Sequence, residues 1–128
     1  MYIRDISYAL SIMGHNIDVI SGPPYPNLAK QVKLIKLPGL DLFQTFSFKE
    51  RLKIFFSKKN KKVIDYYEFL STLLGGFPEM RTFGFRAKNY LKNNDYDIII
   101  DNQSLSYGVL DLQKENPLIE IIHHPITK

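Results

Sequence analysis

The chain has no cysteine among its 128 residues. This absence excludes a disulfide framework and a metal site built from thiolates, and it fits a reducing cytoplasm. The apolar runs are far shorter than the roughly 20 residues that span a bilayer. The first residues, Met1 to Asp5, lack the basic and then apolar layout of a signal peptide. We therefore expect a cytoplasmic protein that does not span a membrane.

The apolar content of the chain is sufficient for one folded domain. Hydrophobic residues make up 45% of the sequence, with eight Tyr and nine Phe, which is typical of a globular chain. A length of 128 residues suits one domain and is short for two, so residues 1–128 are interpreted as one domain. The net charge of +4 permits an anionic partner without requiring one.

Strand patterns and helix patterns alternate along the chain. Four segments have the pattern of a β-strand: residues 17–21, 31–37, 96–101 and 117–123. Apolar residues recur at helical spacing in three regions: residues 3–13, 40–94 and 105–114. The nearly continuous apolar runs of the last two strands are typical of a parallel sheet that is covered on both faces. The alternation predicts an α/β fold with a Rossmann-like parallel sheet and helices on both faces.

The first helix has no strand before it. In a doubly wound sheet the opening strand normally lies in the centre, and later strands are added on either side. Without that strand, backbone groups on both of its neighbours would be unpaired. We therefore expect that the opening strand of the fold is missing from this chain.

Polar side chains follow the last two strands at their carboxyl ends. Asp101, Asn102 and Gln103 end one strand, and His123 and His124 end the other. Because ligands in open α/β sheets bind beyond the carboxyl ends of the strands, both clusters are candidates for a binding site. A structural role, in which the strand-end histidines cap loop carbonyls, is the alternative. No metal site is expected, because adjacent side chains on a strand point to opposite faces.

Four blocks of sequence resemble the N-terminal domain of GT-B glycosyltransferases of family four. A bacterial subgroup of that family has the DNQSL and HHPIT sequences found at residues 101–105 and 123–127. The four blocks lie in the same order over essentially the whole chain: residues 4–26, 76–83, 96–105 and 123–127.

The resemblance implies a retaining transferase that moves a sugar from a nucleotide-sugar donor to an acceptor. In such enzymes two Rossmann-like domains face each other across a cleft, and the N-terminal domain mainly holds the acceptor. The nucleotide-sugar is then a co-substrate, and no other cofactor is implied. No donor-binding domain, opening strand or glycine-rich loop is recognisable in residues 1–128. We therefore expect a fragment truncated at both ends that is inactive alone.

The resemblance also assigns roles to the polar strand ends. It implies that His123 acts in the catalytic centre, near the transferred sugar or the donor phosphate. A neutral imidazole there would exchange hydrogen bonds, and a protonated one would stabilise phosphate charge. Asp101, Asn102, Gln103 and His124 are predicted to bind substrate, because their polar groups suit sugar hydroxyls.

Tyr25 is a further substrate-binding candidate, because its ring could stack on a sugar. It lies in the loop of residues 22–26, which contains three prolines that hold the backbone at low entropy cost. Packing of this stiff loop is the other role open to Tyr25.

The most basic stretch of the chain, residues 47–62, contains six lysines and Arg51. Phe48, Leu52, Phe55 and Phe56 fall on one helical face of it. This mixture suits an interfacial helix on anionic lipid, which would place the protein at the inner face of the membrane. An ordinary core-facing helix with a solvated lysine-rich end is the alternative. No nucleic-acid recognition motif accompanies the lysines, so no nucleic-acid partner is expected.

Two other functions remain open beside the transferase fragment. One is a stand-alone module that binds a sugar or a lipid-linked acceptor without chemistry. The other is a half-enzyme that pairs with a separately encoded donor domain. The partners implied by these hypotheses are a nucleotide-sugar donor, an acceptor and a donor domain supplied in cis or in trans.

Overall fold

A computed structural model describes residues 2–42, 45, 47–74, 79–102, 107–114 and 116–123. The chain divides into two compact units, residues 1–79 and residues 80–128. Among the described residues, no helix has the length and the apolar character that are needed to cross a bilayer.

The first unit contains three helices and two strands. In chain order they are α1 (Tyr2–Ile12), β1 (Asp18–Ser21), β2 (Lys33–Lys36), α2 (Phe48–Ser57) and α3 (Val63–Leu73). Gly14 follows α1 with a φ of 93°, in the left-handed region that favours glycine. Helix α1 thus agrees with the helical spacing found over residues 3–13.

Strands β1 and β2 pair in parallel, with Asp18 opposite Lys33 and Ser21 opposite Lys36. The Lys33 ammonium lies 3.1 Å from the Asp18 carboxylate, so the pair also carries a surface ion pair at its amino end. Val19 is the buried residue of β1, and Val32 is buried just before β2.

The core of the first unit forms where α2 and α3 meet the segment between β2 and α2. Leu40, Leu42, Phe55 and Phe69 are buried together in this cluster. The Phe55 and Phe69 rings stack with their centroids 4.4 Å apart. Burial of these apolar groups fixes which side of α2 and α3 faces inward.

The inward face of α3 also carries two buried carboxylates. Asp65 lies 2.7 Å from the Lys58 ammonium and accepts a hydrogen bond from the Lys62 backbone N–H at 2.8 Å. Glu68 accepts a hydrogen bond from the Leu40 N–H at 3.2 Å. These bonds satisfy groups that would be costly to bury alone.

Arg51, which lies in α2, forms a hydrogen bond with the C-terminal end of α3. Its guanidinium donates to the Thr72 carbonyl at 2.9 Å and to the Thr45 carbonyl at 3.1 Å. The Thr72 carbonyl lies in the last turn of α3, where helix carbonyls lack partners within the helix. Arg51, one of the basic residues of the 47–62 stretch, therefore stabilises the packing of the first unit.

The second unit contains α4 (Glu79–Leu91), which begins one residue before the boundary between the units, and then two strands and a short connection. The remaining elements are β3 (Ile99–Asn102), α5 (Tyr107–Leu110), a 3-10 turn (Asp111–Lys114) and β4 (Leu118–Ile121). Strands β3 and β4 pair in parallel, with Ile99 opposite Leu118. Ala87, Leu91 and Val109 are buried in this unit.

The α/β class and the parallel strand pairing agree with the prediction from sequence. The described strands form two parallel pairs, β1 with β2 and β3 with β4. Each unit thus has one described pair of parallel strands, which is compatible with a Rossmann-like partial domain.

Candidate functional site

The candidate site lies at the carboxyl ends of β3 and β4. The last residue of β3, Asn102, is opposite Ile121, the last residue of β4. His123 follows two residues later. Because the strands are parallel, both chain segments leave the strand pair at the same edge, which is where α/β folds bind ligands.

Asn102 and His123 are joined by a side-chain hydrogen bond. The Nε2 atom of His123 lies 2.7 Å from the Oδ1 atom of Asn102. Because an amide oxygen can only accept, Nε2 carries the proton and donates. In a neutral ring the lone pair is then on Nδ1. The bond therefore selects one tautomer and holds the imidazole plane at the strand ends.

Asp101 lies in a different environment from its neighbour. It is 9% exposed, and its partner across the strand pair is Glu120. Side chains alternate between the two faces of a strand, so Asp101 and Asn102 point in opposite directions. The Asn102 side chain is therefore the one that contacts His123. Substrate binding by Asp101 stays a prediction.

Tyr25 belongs to the first unit. Its side chain is 38% exposed, and the Lys36 ammonium lies 5.1 Å from the centre of its ring. This cation–π contact ties the proline-rich loop to the end of β2. The contact supports a packing role for Tyr25, and its predicted stacking on a sugar stays a prediction.

The other two substrate-binding candidates, Gln103 and His124, lie outside the described residues. Of the six site residues predicted from sequence, the structure thus brings together Asn102 and His123. Within the described residues, no group of three or more His, Cys, Asp or Glu side chains is arranged to hold a metal ion.

A concave surface that the sequence did not indicate lies in the first unit. It is an open pocket of about 420 Å³ whose lining includes Ser11, His15, Asn16 and Gln31. These residues lie before β1 and β2, at the amino ends of the strands. Ligands of α/β sheets bind at the opposite end, so this pocket is not the site predicted for the fold. Its lining combines residues from 11–18 with Gln31 and Lys33, and no sequence motif links these two segments.

Comparison with known proteins connects the chain to sugar transfer. It is 39% identical over 132 aligned residues to MMP alpha-(1->4)-mannosyltransferase from Mycolicibacterium hassiacum. The alignment covers 100% of this chain and 31% of that protein. No protein-family model matches the chain. The chain is therefore related along its whole length to a stretch of a glycosyltransferase, and it spans about a third of that relative.

Proposed function

We propose that this chain supplies the acceptor-side half of a retaining glycosyltransferase that moves a hexose from a nucleotide-sugar donor. The observation that carries the proposal is the 39% identity to a mannosyltransferase over 100% of the chain. The other half of the active centre, which would bind the donor nucleotide, is contributed by a further domain. The chain on its own has no transferase activity under this proposal.

The arrangement at the ends of β3 and β4 supports a catalytic centre around His123. Its ring is exposed and is oriented by Asn102 at 2.7 Å. With Nε2 donating to Asn102, Nδ1 of a neutral ring would accept from a sugar hydroxyl, and Nδ1–H of a protonated ring would donate to a phosphate oxygen. Orientation before binding lowers the entropy cost of reaching the transition state. In this proposal Asn102 is the positioning residue of His123.

The name of the relative suggests which sugar to test first. That protein is a mannosyltransferase with an alpha-(1->4) linkage. We propose a nucleotide-activated mannose as the donor and a sugar, free or linked to lipid, as the acceptor. The donor-binding half of a two-domain transferase largely selects the donor, so the acceptor is the part of specificity that this chain would control.

A chimera tests the proposed function. The chain would replace the aligned segment of the Mycolicibacterium hassiacum mannosyltransferase, 31% of that protein. We expect the purified chimera to transfer mannose measurably, because the grafted segment supplies the acceptor side and the host supplies the donor side. The isolated chain should release no nucleotide from any nucleotide-sugar. Nucleotide release and labelled-sugar transfer are the two measurements.

The matched controls are the unmodified host and a host from which the aligned segment has been deleted. A chimera that is monodisperse and has the far-UV circular dichroism of the host, yet transfers no sugar, would contradict the proposal. Turnover by the isolated chain would contradict the division into halves. Mixing the chain with the deleted host tests the half-enzyme alternative, in which activity returns without a covalent link.

A further inference from the structure

The outward face of α3 is apolar. Six residues of α3 and its C-terminal cap form this face and are exposed: Val63, Tyr66, Tyr67, Leu70, Leu73 and Leu74. At 3.6 residues per turn they fall within roughly a third of the helix circumference. Leu70 is 57% exposed and Leu74 is 90% exposed. We call this set the α3 apolar face.

The apolar surface continues onto α2 through one aromatic cluster. The ring of Phe55 is 5.2 Å from that of Tyr66 and 5.6 Å from that of Phe56, both in edge-to-face contact. Phe56 is itself exposed. The exposed apolar residues of α2 and α3 are therefore contiguous, whereas exposed apolar residues on most proteins are scattered singly.

Positive charge lies at the N-terminal end of the α3 apolar face. Lys59 and Lys62 are exposed in or next to the loop that leads into α3. The Lys61 ammonium lies 5.2 Å from the centre of the Phe55 ring and 5.9 Å from that of Phe56. That ammonium also donates to the Lys58 carbonyl at 2.7 Å, so Lys61 is held over the rings at the edge of the face. Lys59 and Lys62 are the exposed charges beside the apolar groups, which is the combination of side chains found at a lipid interface.

The acidic residues of α3 lie away from this surface. Asp65 and Glu68 are its two carboxylates, and both are buried on the inward face. The outward side of α3 therefore combines apolar groups with lysines and carries no carboxylate of its own. This charge pattern complements an anionic surface and would repel a cationic one.

We propose that the α3 apolar face, with Phe56, Lys59 and Lys62, binds the chain peripherally to an anionic lipid surface. The α3 apolar face would lie in the headgroup region, and the lysines would contact lipid phosphates. The sequence suggested residues 47–62 as the interfacial segment, and the structure shifts the apolar contribution to α3. This inference is independent of the proposed sugar transfer, because it uses none of the residues of that site.

Co-sedimentation with vesicles tests the proposal on the full 128-residue chain. We expect binding to phosphatidylcholine vesicles that contain phosphatidylglycerol, weak binding to phosphatidylcholine alone, and release as salt is raised. The double variant Lys59→Ala with Lys62→Ala should weaken the partition coefficient by at least about tenfold, at roughly fivefold for each lysine near the surface. On the same anionic vesicles, Leu70→Ser with Leu74→Ser should lower the partition coefficient by a similar factor, because the apolar contact with the lipid is lost.

The control variants remove two lysines or two apolar side chains that are exposed outside the proposed lipid-binding surface. Lys30→Ala with Lys92→Ala removes two exposed lysines outside the surface, and Ile12→Ser with Met13→Ser removes two exposed apolar groups near the end of α1. Neither should change the partition coefficient by more than about twofold. Far-UV circular dichroism checks that every variant is folded.

Three outcomes would overturn the proposal. One is equal binding to neutral and anionic vesicles, and another is no binding to either. The third is loss of binding in the matched variants to the same degree as in the surface variants. A separate measurement, sedimentation equilibrium, would also overturn it by showing a dimer that dissociates on Leu70→Ser with Leu74→Ser, which would assign the face to a second copy of the chain.

Discussion

His123→Ala is expected to lower the kcat of the mannosyltransferase chimera by at least about tenfold, with little change in KM for the donor. The exposed ring stands at the carboxyl ends of β3 and β4 and is oriented by Asn102 at 2.7 Å. A group that stabilises charge in the transition state affects kcat more than it affects substrate binding. The measurement is initial rates of sugar transfer at several donor concentrations.

The hydrogen bond between Asn102 and His123 predicts how Asn102→Ala should affect kcat. Asn102→Ala should reduce kcat less than His123→Ala does, because the imidazole remains and loses only its orientation. The double variant should be no slower than His123→Ala alone, since residues that act as a unit are not additive. His15→Ala is the matched control, an exposed histidine in the first unit, and should leave kcat unchanged.

These variants also separate catalysis from folding. An unchanged kcat in His123→Ala would remove this histidine from the active centre and leave the structural role of capping a strand end. If Asn102→Ala and His123→Ala instead multiply their losses, the two side chains act separately. The thermal midpoint of each variant shows whether a loss of rate reflects a loss of folded protein.

The strand ends illustrate what sequence could predict. Continuous apolar runs at residues 96–101 and 117–123 indicated buried parallel strands, and the structure has β3 and β4 within or beside them. The continuous apolar pattern located both strands, but the expected burial on both faces is not observed, since Ile100 is 40% exposed and Ile119 is 48% exposed. The contact between Asn102 and His123 was not predictable, because it depends on the register that places Asn102 opposite Ile121.

Helix α3 illustrates what sequence could not predict. The helical spacing over residues 40–94 includes an apolar stripe with Val63, Tyr66 and Leu70, and periodicity alone would place that stripe against the core. In the structure that stripe is exposed, and Asp65 and Glu68 are buried on the other side. The reason is tertiary, since Lys58 and the Leu40 backbone supply the partners that make burial of two carboxylates acceptable.

Asp65→Ala is expected to lower the free energy of unfolding of the chain by about 3 kcal/mol, near the low end of the values for broken buried ion pairs. Asp65 is 0% exposed and is bonded to both the Lys58 ammonium and the Lys62 N–H. The substitution removes both bonds at the start of α3 and leaves a small cavity. Because the Lys58 side chain is 22% exposed, water can partly solvate the ammonium that is left.

The matched control for Asp65→Ala is Asp18→Ala, which breaks an ion pair of the same chemistry in the same unit. Its lysine partner, Lys33, is 67% exposed, so the cost should be below about 1 kcal/mol. Urea unfolding followed by far-UV circular dichroism gives both values. Asp65→Asn should fall between them, because the amide oxygen still accepts from the Lys62 N–H but the charge is lost. Equal costs for Asp65→Ala and Asp18→Ala would mean that the buried pair does not hold α3 with its apolar face outward.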